Sequence, residues 1–308
     1  MRYDAVLVLS FGGPEGPDDV MPFLANVTRG RDVPPQRLEA VAARYLEFGG
    51  VSPINGANRA LVAALTAALD VPVYWGNRNW HPLLADTVAR MAADGVERAA
   101  CFVTSAYGGY SASERYVEDI VVARAAVGGA APLIDKLRPY YDHPGFIAPF
   151  VASTTDALAS LPAEAHAAVR LAFTAHSVPL AERGVTDYVA QVDKASALVA
   201  ARAPAGRAYA VAWQSRSGPP GVPWLEPDIN AHLVALRDEG ATAVVIVPIG
   251  FVADHFEVVW DLDVEALGRA RALGLEAARA ATPGTHPAFV EMVGELVRER
   301  ERGFGATF

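Results

Sequence analysis

Short apolar runs alternate along the chain with longer stretches in which apolar residues recur every three or four positions. This alternation predicts parallel β-strands joined by helices. The runs that predict strands are Ala5–Leu9, Val71–Trp75, Ala99–Thr104, Val169–Phe173, Ala208–Trp213 and Ala243–Val247. The stretches that predict helices are Pro34–Glu47, Ala57–Leu69, Ala85–Asp94, Asp187–Ala203, Asp228–Asp238, Phe256–Leu267 and His286–Arg302.

The two halves of the chain repeat one order of motifs. Residues 9–14, Leu-Ser-Phe-Gly-Gly-Pro, match residues 174–179, Thr-Ala-His-Ser-Val-Pro, and Trp75 likewise matches Trp213. We therefore predict an α/β fold of two similar Rossmann-like domains, each a parallel sheet flanked by helices, with a cleft between them. Pockets for ligands favour such interfaces.

A break in helical periodicity, Pro-Tyr-Tyr-Asp-His-Pro at residues 139–144, predicts where the two domains join. The predicted organisation is an N-terminal α/β domain over residues 1–142 and a C-terminal α/β domain over residues 143–285. Residues 286–308 form a closing helix and tail.

Composition narrows the class of protein. The 308 residues are 52% hydrophobic and 20% charged, which suits a globular chain of two domains. A net charge of −9 argues against nucleic acid as a partner. No apolar run has the length of a membrane span or a signal-peptide core, so we expect a cytoplasmic protein without stable membrane association. The single cysteine, Cys101, excludes a cysteine-ligated cluster.

Candidate chemistry lies where the strands of the second half end. His176 follows the run Val169–Phe173, at the sheet edge where open α/β folds bind ligands. Glu257, Asp261 and Glu265 lie after the predicted strand Ala243–Val247. They are spaced at four-residue intervals, which places them on one helix face. Three like charges repel at this spacing, so they predict a bound cation. The alternatives are a histidine that bridges a loop and a solvated acidic face.

These segments, in this order, resemble the ferrochelatases, and in particular the branch that acts on coproporphyrin III. The matching stretches are residues 9–14, 26–31, 44–45, 49–54, 173–179, 213–216 and 248–257. The resemblance implies insertion of Fe²⁺ into coproporphyrin III, giving coprohaem in haem biosynthesis, by a monomeric enzyme. The alternatives are a protoporphyrin ferrochelatase, a non-catalytic porphyrin or haem carrier on the same fold, and a cobalt chelatase for a sirohydrochlorin-type ring.

The resemblance also assigns roles to residues. It implies that His176 and Glu257 are catalytic and contact the metal, and that Asp261 and Glu265 form a path for metal ions or protons. The substrate-binding side chains that it implies are Arg29, Arg44, Tyr45, Ser52 and Tyr116, of which the arginines suit propionates.

The resemblance implies no permanently bound cofactor, because Fe²⁺ is a substrate. Some relatives carry an iron–sulfur cluster on cysteines, several of them near the C-terminus; the tail of this chain has no cysteine, so we expect no cluster here. Phe11 stands where members of the family often carry a tyrosine that faces the iron, so that ligand is missing here. Metal selectivity among Fe²⁺, Co²⁺ and Zn²⁺ is not encoded in the types of ligand.

Overall fold

Two four-stranded parallel sheets form the framework of the molecule. The computed structural model describes residues 2–30, 33–204, 208–218 and 221–303. In spatial order the first sheet is β2 (Val73–Asn77), β1 (Ala5–Ser10), β3 (Arg98–Val103) and β4 (Leu133–Lys136). The second sheet is β6 (Tyr209–Gln214), β5 (Val169–His176), β7 (Ala243–Val247) and β8 (Glu276–Arg279). The predicted fold class, with its repeated Rossmann-like plan, is confirmed.

Helices connect the strands and flank both sheets. Those of the first half are α1 (Val20–Val27), α2 (Pro35–Glu47), α3 (Ile54–Ala68), α4 (Leu84–Ala93) and α5 (Arg115–Val127). Those that follow are α6 (Pro144–Ala159), α7 (Val185–Ala200), α8 (Ile229–Asp238), α9 (Phe256–Val258), α10 (Leu267–Ala272) and α11 (Pro287–Glu301). A π-helical segment, Val259–Ala266, joins α9 to α10, and a second one, Tyr110–Glu114, precedes α5.

All six predicted strands are present, and β5 continues past its predicted end to His176. The edge strands β4 and β8 were not predicted. Every residue in them is at least partly exposed, so the sequence shows no apolar run there. The predicted helix Phe256–Leu267 is wrong in type, since most of it is π-helical. Of the predicted closing segment, α11 is present, and residues 304–308 lie outside the described residues.

The halves share one apolar core in addition to a private cluster each. The shared core takes Val8 and Phe102 from the first sheet, and Phe173 and Val247 from the second. Helix α6 begins just after the predicted boundary at residue 142, where the ring of His143 caps it by accepting from the Gly145 N–H at 3.1 Å. The boundary itself stays a prediction.

The sheet register shows that two sequence matches between the halves are incompatible. Trp75 pairs with Val8 in the first sheet, and Val211 pairs with Phe173 in the second. The match of residues 9–14 with residues 174–179 makes Phe11 equivalent to His176 and, one residue before the matched run, Val8 equivalent to Phe173. Under that match Trp75 corresponds to Val211 and not to Trp213. A shift of two residues leaves a side chain on the same face of a strand, so either match keeps the apolar positions in phase.

Candidate active site

His176 is the last residue of β5, and one of its ring nitrogens is already engaged. Nδ1 lies 2.5 Å from the carbonyl oxygen of Ser177. A carbonyl can only accept, so Nδ1 carries the proton and donates it. In the neutral imidazole Nε2 then has its lone pair free, which is the form that accepts a proton or ligates a metal. The side chain is 36% exposed, so that Nε2 is open to a ligand.

Glu257 faces that nitrogen. Its Oε2 lies 3.7 Å from His176 Nε2, and its side chain is 48% exposed. Glu257 is the second residue of α9, and His255, which precedes that helix, accepts from the Glu257 N–H through Nδ1 at 3.2 Å. Asp254 pairs with Arg279 at 2.9 Å. Within residues 254–257, Glu257 therefore faces His176. Asp254 and His255 instead make contacts that stabilise the local backbone and its surroundings.

Asp261 lies one turn further along, on the π-helical segment. Its Oδ2 accepts a hydrogen bond from the Ser215 hydroxyl and one at 3.4 Å from the Gln214 amide. The pKa of Asp261 is raised to about 6, and burial is the largest cause. The charges of Glu257 and Glu265 act in the same direction as burial, and the Ser215 hydrogen bond and His176 act in the opposite direction. Because its neighbours act on its charge, the three carboxylates form one electrostatic unit.

Glu265 is the last of the three carboxylates along the chain. Its Oε1 accepts from the indole N–H of Trp260 at 2.7 Å and lies 3.9 Å from Nη1 of Arg44. The Arg44 guanidinium also lies over the Trp260 ring, 5.1 Å from its centroid. A predicted substrate-binding arginine from the first half therefore touches the carboxylate row of the second. At this point the structure brings a member of the predicted substrate-binding set, Arg44, to a member of the predicted metal path, Glu265.

Tyr45 and Ser52 also reach the second half, as buried residues. The Tyr45 ring stacks on Phe256 with centroids 3.8 Å apart. Burial, with the charge of Glu257 as a smaller cause, raises the pKa of the Tyr45 phenol. The Ser52 hydroxyl accepts from the Phe256 N–H at 3.3 Å.

Arg29 and Tyr116 have a different setting. Arg29 is exposed at the end of α1 and donates to the side chain of Asn26. Tyr116 is buried in the private core of the first half, beneath the Arg78 guanidinium at 4.5 Å. Within the described residues, the contacts of Tyr116 are with this core and Arg78, and the structure does not bring it to the His176–Glu257 pair.

Sequence reasoning gave no role to Gln214 and Ser215, although both lie in a matching stretch. Gln214 ends β6 directly opposite His176 in the strand register, so its position at a strand end was a usable signal. Ser215 has a φ of 62°, an uncommon value for a residue with a side chain. Both hydrogen bond to Asp261, a contact that spacing along the chain does not reveal.

Comparison with known proteins fixes the family. The family model described as Ferrochelatase matches residues 3–301. The chain belongs to the ferrochelatase family. Similar ferrochelatase sequences include the coproporphyrin III ferrochelatase of Mycolicibacterium paratuberculosis, 56% identical over 98% of this chain and 90% of its own. That of Mycolicibacterium smegmatis is 55% identical over 98% and 91%.

Solved structures with the same fold are chelatases of low sequence identity. SirB from Bacillus subtilis with Fe3+ aligns with a TM-score of 0.63 at 15% identity, over 99% of this ferrochelatase-family chain and 99% of its own. CbiX, the terminal enzyme for siroheme biosynthesis in denitrifying bacteria, aligns with a TM-score of 0.51 at 17% identity, over 96% and 98%. At these identities the likeness shows the two-domain fold alone.

Two searches of the described residues gave negative results. In residues 2–30, 33–204, 208–218 and 221–303, no three His, Cys, Asp or Glu side chains are grouped so that they could hold a metal ion together. Over the same ranges, no helix combines the length and apolar character that crossing a membrane requires.

Proposed function

We propose that this member of the ferrochelatase family inserts Fe²⁺ into coproporphyrin III. The observation that carries the proposal is the His176–Glu257 pair, with Nε2 and Oε2 3.7 Å apart at a cleft between two halves. The choice of porphyrin is supported by relatives of 54–56% identity whose names specify coproporphyrin III. A carrier would need the cleft but no proton acceptor, so the pair favours an enzyme.

Metal insertion replaces two pyrrole N–H protons with one Fe²⁺, so two protons must leave. In the proposed reaction His176 Nε2 accepts the two pyrrole protons one after the other and passes each to Glu257, because the two groups face each other. Asp261, whose pKa is raised to about 6, suits the next position in a proton path near neutral pH. Glu265 would then be the outermost group of that path, where Fe²⁺ also enters.

Arg29 and Arg44 are proposed to bind propionates, because both are exposed and guanidinium matches carboxylate geometry. Tyr45, Ser52 and Tyr116 stay predicted substrate residues, but all are buried, with exposures of 7%, 3% and 6%. Their effect on the substrate is therefore expected through the shape of the cleft. We infer that no cofactor is permanently bound, and the lone Cys101 cannot hold an iron–sulfur cluster. The monomeric state and cytoplasmic location remain predictions.

The experiment is anaerobic turnover of coproporphyrin III and protoporphyrin IX with Fe²⁺. The expected result is a kcat/KM higher by about tenfold or more for coproporphyrin, since four propionates offer more charge-assisted contacts than two. Arg44→Gln should raise KM for coproporphyrin by about three- to tenfold, a modest effect because Arg44 is 48% exposed. Arg90→Gln, which alters an exposed arginine on α4, is the control.

Two other outcomes would contradict the proposal. Equal turnover of both porphyrins would contradict the choice of coproporphyrin. Tight porphyrin binding without metal insertion would instead indicate a carrier.

A further inference from the structure

The segment that carries Glu257 to the cleft is held from both halves of the molecule. This segment, Pro248–Glu257, connects β7 to α9 and is here called the Glu257 segment. Within the second half, Gly250 donates to the Thr174 carbonyl at 3.0 Å, and Val252 accepts from the Gly284 N–H at 2.9 Å. These bonds hold its middle. Asp254, near the end of the segment, pairs with Arg279 of the second half at 2.9 Å. Two further hydrogen bonds, one near each end of the segment, come from the first half.

Tyr107 holds the beginning of the Glu257 segment. It follows β3 in the first half and is 2% exposed. Its phenol donates to the Ile249 carbonyl at 2.8 Å. Because the site is buried, water cannot replace the phenol, and loss of the hydroxyl would leave that carbonyl unpaired.

Ser52 holds the other end of the Glu257 segment. Its hydroxyl accepts from the Phe256 N–H, which begins α9 and so has no partner within the helix. The first half fixes Ser52 closely: its N–H donates to the Pro14 carbonyl at 2.8 Å. A Cβ on Gly13 would come within 2.6 Å of the Ser52 Cβ, so the two backbones are in near contact.

We infer that Tyr107 and Ser52 are positioning residues, through which the first half sets the place of Glu257 opposite His176. His176 is fixed by strand pairing, whereas Glu257 lies at the junction of a loop and a helix. The distance between the two groups therefore depends on where the loop ends. The inference rests on the proposed function and gives Ser52 a role that needs no direct contact with substrate.

The test compares two variants with matched controls in full-length protein. Tyr107→Phe and Ser52→Ala are expected to lower kcat for metal insertion by about tenfold while porphyrin KM stays within about twofold. Tyr140→Phe is the first control, because Tyr140 is also 2% exposed and donates to a backbone carbonyl, that of Val103, at 2.9 Å. Ser196→Ala is the second, since this buried hydroxyl donates to the Val192 carbonyl on α7. Both controls should keep kcat within about twofold of the wild type.

Two further measurements separate positioning from stability and from the proposed function. The midpoint temperature of thermal unfolding should fall by a similar amount in each variant and in its matched control, because each of them loses one buried hydrogen bond. Amide hydrogen exchange of a peptide spanning residues 250–260 should be faster in Tyr107→Phe and Ser52→Ala than in either control. This readout needs no enzymatic activity.

Control-like kcat and control-like exchange would overturn the inference. A rise in porphyrin KM with kcat unchanged would also overturn the inference. For Ser52 it would indicate a direct contact with the substrate. A wild-type protein without metal insertion would contradict the proposed function alone, and the exchange data would then decide whether the two residues hold the segment.

Discussion

At the scale of single residues, the hydrogen bond between His176 Nδ1 and the Ser177 carbonyl determines which nitrogen can react. It leaves Nε2 free at the end of β5, next to Glu257. A histidine whose only role was to bridge a loop would not need a carboxylate at its second nitrogen. The geometry supports the predicted role of His176 as base and metal contact.

The first prediction follows from this arrangement. His176→Ala should lower the rate of metal insertion by about two to four orders of magnitude, in the range for loss of a general base, and leave porphyrin binding intact. His166→Ala is a matched control, because its ring nitrogen also lies 3.0 Å from a nearby backbone carbonyl, that of Leu161. Turnover of the His176 variant at the level of this control would refute the assignment.

Asp261 supports a second prediction at this scale, about stability. Its pKa is about 6 in the folded protein against an ordinary value of 3.8, so the folded state holds the proton more tightly than the unfolded chain. Between these two pH values the stability contributed by Asp261 falls as pH rises, and above about pH 6 the ionised carboxylate destabilises the fold. Ser215 can still donate to an asparagine at this position.

Asp261→Asn should therefore raise the free energy of unfolding at pH 7.5, by at most about 3 kcal/mol, and the gain should vanish towards pH 4. Urea unfolding at both pH values measures it. Asp86→Asn, on the exposed face of α4, is the control and should not raise the free energy of unfolding at pH 7.5. A loss of stability at pH 7.5 would contradict the burial that raises this pKa.

At the scale of elements, the π-helical segment Val259–Ala266 carries Asp261 and Glu265, while Glu257 lies on α9 just before it. Such segments have wider turns and occur often at functional sites. Each carboxylate has a different partner, namely His176, Ser215 or Trp260. The same segment carries Asp263, whose side chain pairs with Arg279 instead.

Their environments predict graded effects. Glu257→Gln should reduce turnover most, by about two orders of magnitude or more, because it faces the proposed base. Asp261→Asn and Glu265→Gln should mainly raise KM for Fe²⁺. Asp263→Asn removes a charge from the same segment but not from the cleft, so it should leave KM for Fe²⁺ unchanged. Equally small effects of all four substitutions would mean that the row is a solvated acidic face.

At the scale of the whole molecule, the two halves also contact each other away from the cleft. The shared core draws on both sheets, and α11 packs against α3 of the first half as well as against α6. The last turns of α11 also reach back to the first half, where Glu299 accepts from Arg138 at 2.8 Å and Glu301 from the Tyr3 N–H at 3.2 Å. Neither half buries its apolar surface alone.

We therefore expect one cooperative unfolding transition for the full chain, with coincident tryptophan fluorescence and circular dichroism curves in urea. Residues 1–142 and 143–308, expressed separately, should not fold, because each would expose its side of the shared core. A mixture of both fragments serves as the control, since association would restore that core. A fragment that unfolds cooperatively by itself would show that the halves are independent domains.

The sequence by itself determined the elements whose burial is complete and whose chemistry is local. Buried strands such as β7 are unbroken apolar runs, so their ends could be predicted closely. His176 and Glu257 could be selected as candidates because His176 ends one such strand and Glu257 lies in the segment after another, at the sheet edge where parallel sheets place their ligands. Their proposed roles came from the family resemblance. The edge strands β4 and β8 and helix α5 were missed because partial exposure hides their periodicity, and α1 and α6 were missed because an internal proline interrupts theirs.

Only the tertiary structure decided the contacts between residues far apart in the chain. It paired Tyr107 with Ile249, Ser52 with Phe256, and Ser215 with Asp261, and it placed Tyr116 in a core away from the His176–Glu257 pair. It also showed, through the strand registers, that the sequence matches of residues 9–14 with 174–179 and of Trp75 with Trp213 cannot both hold. The physical reason is that periodicity records whether a side chain is buried, whereas its partner is selected by how two sheets and their helices pack around a shared core.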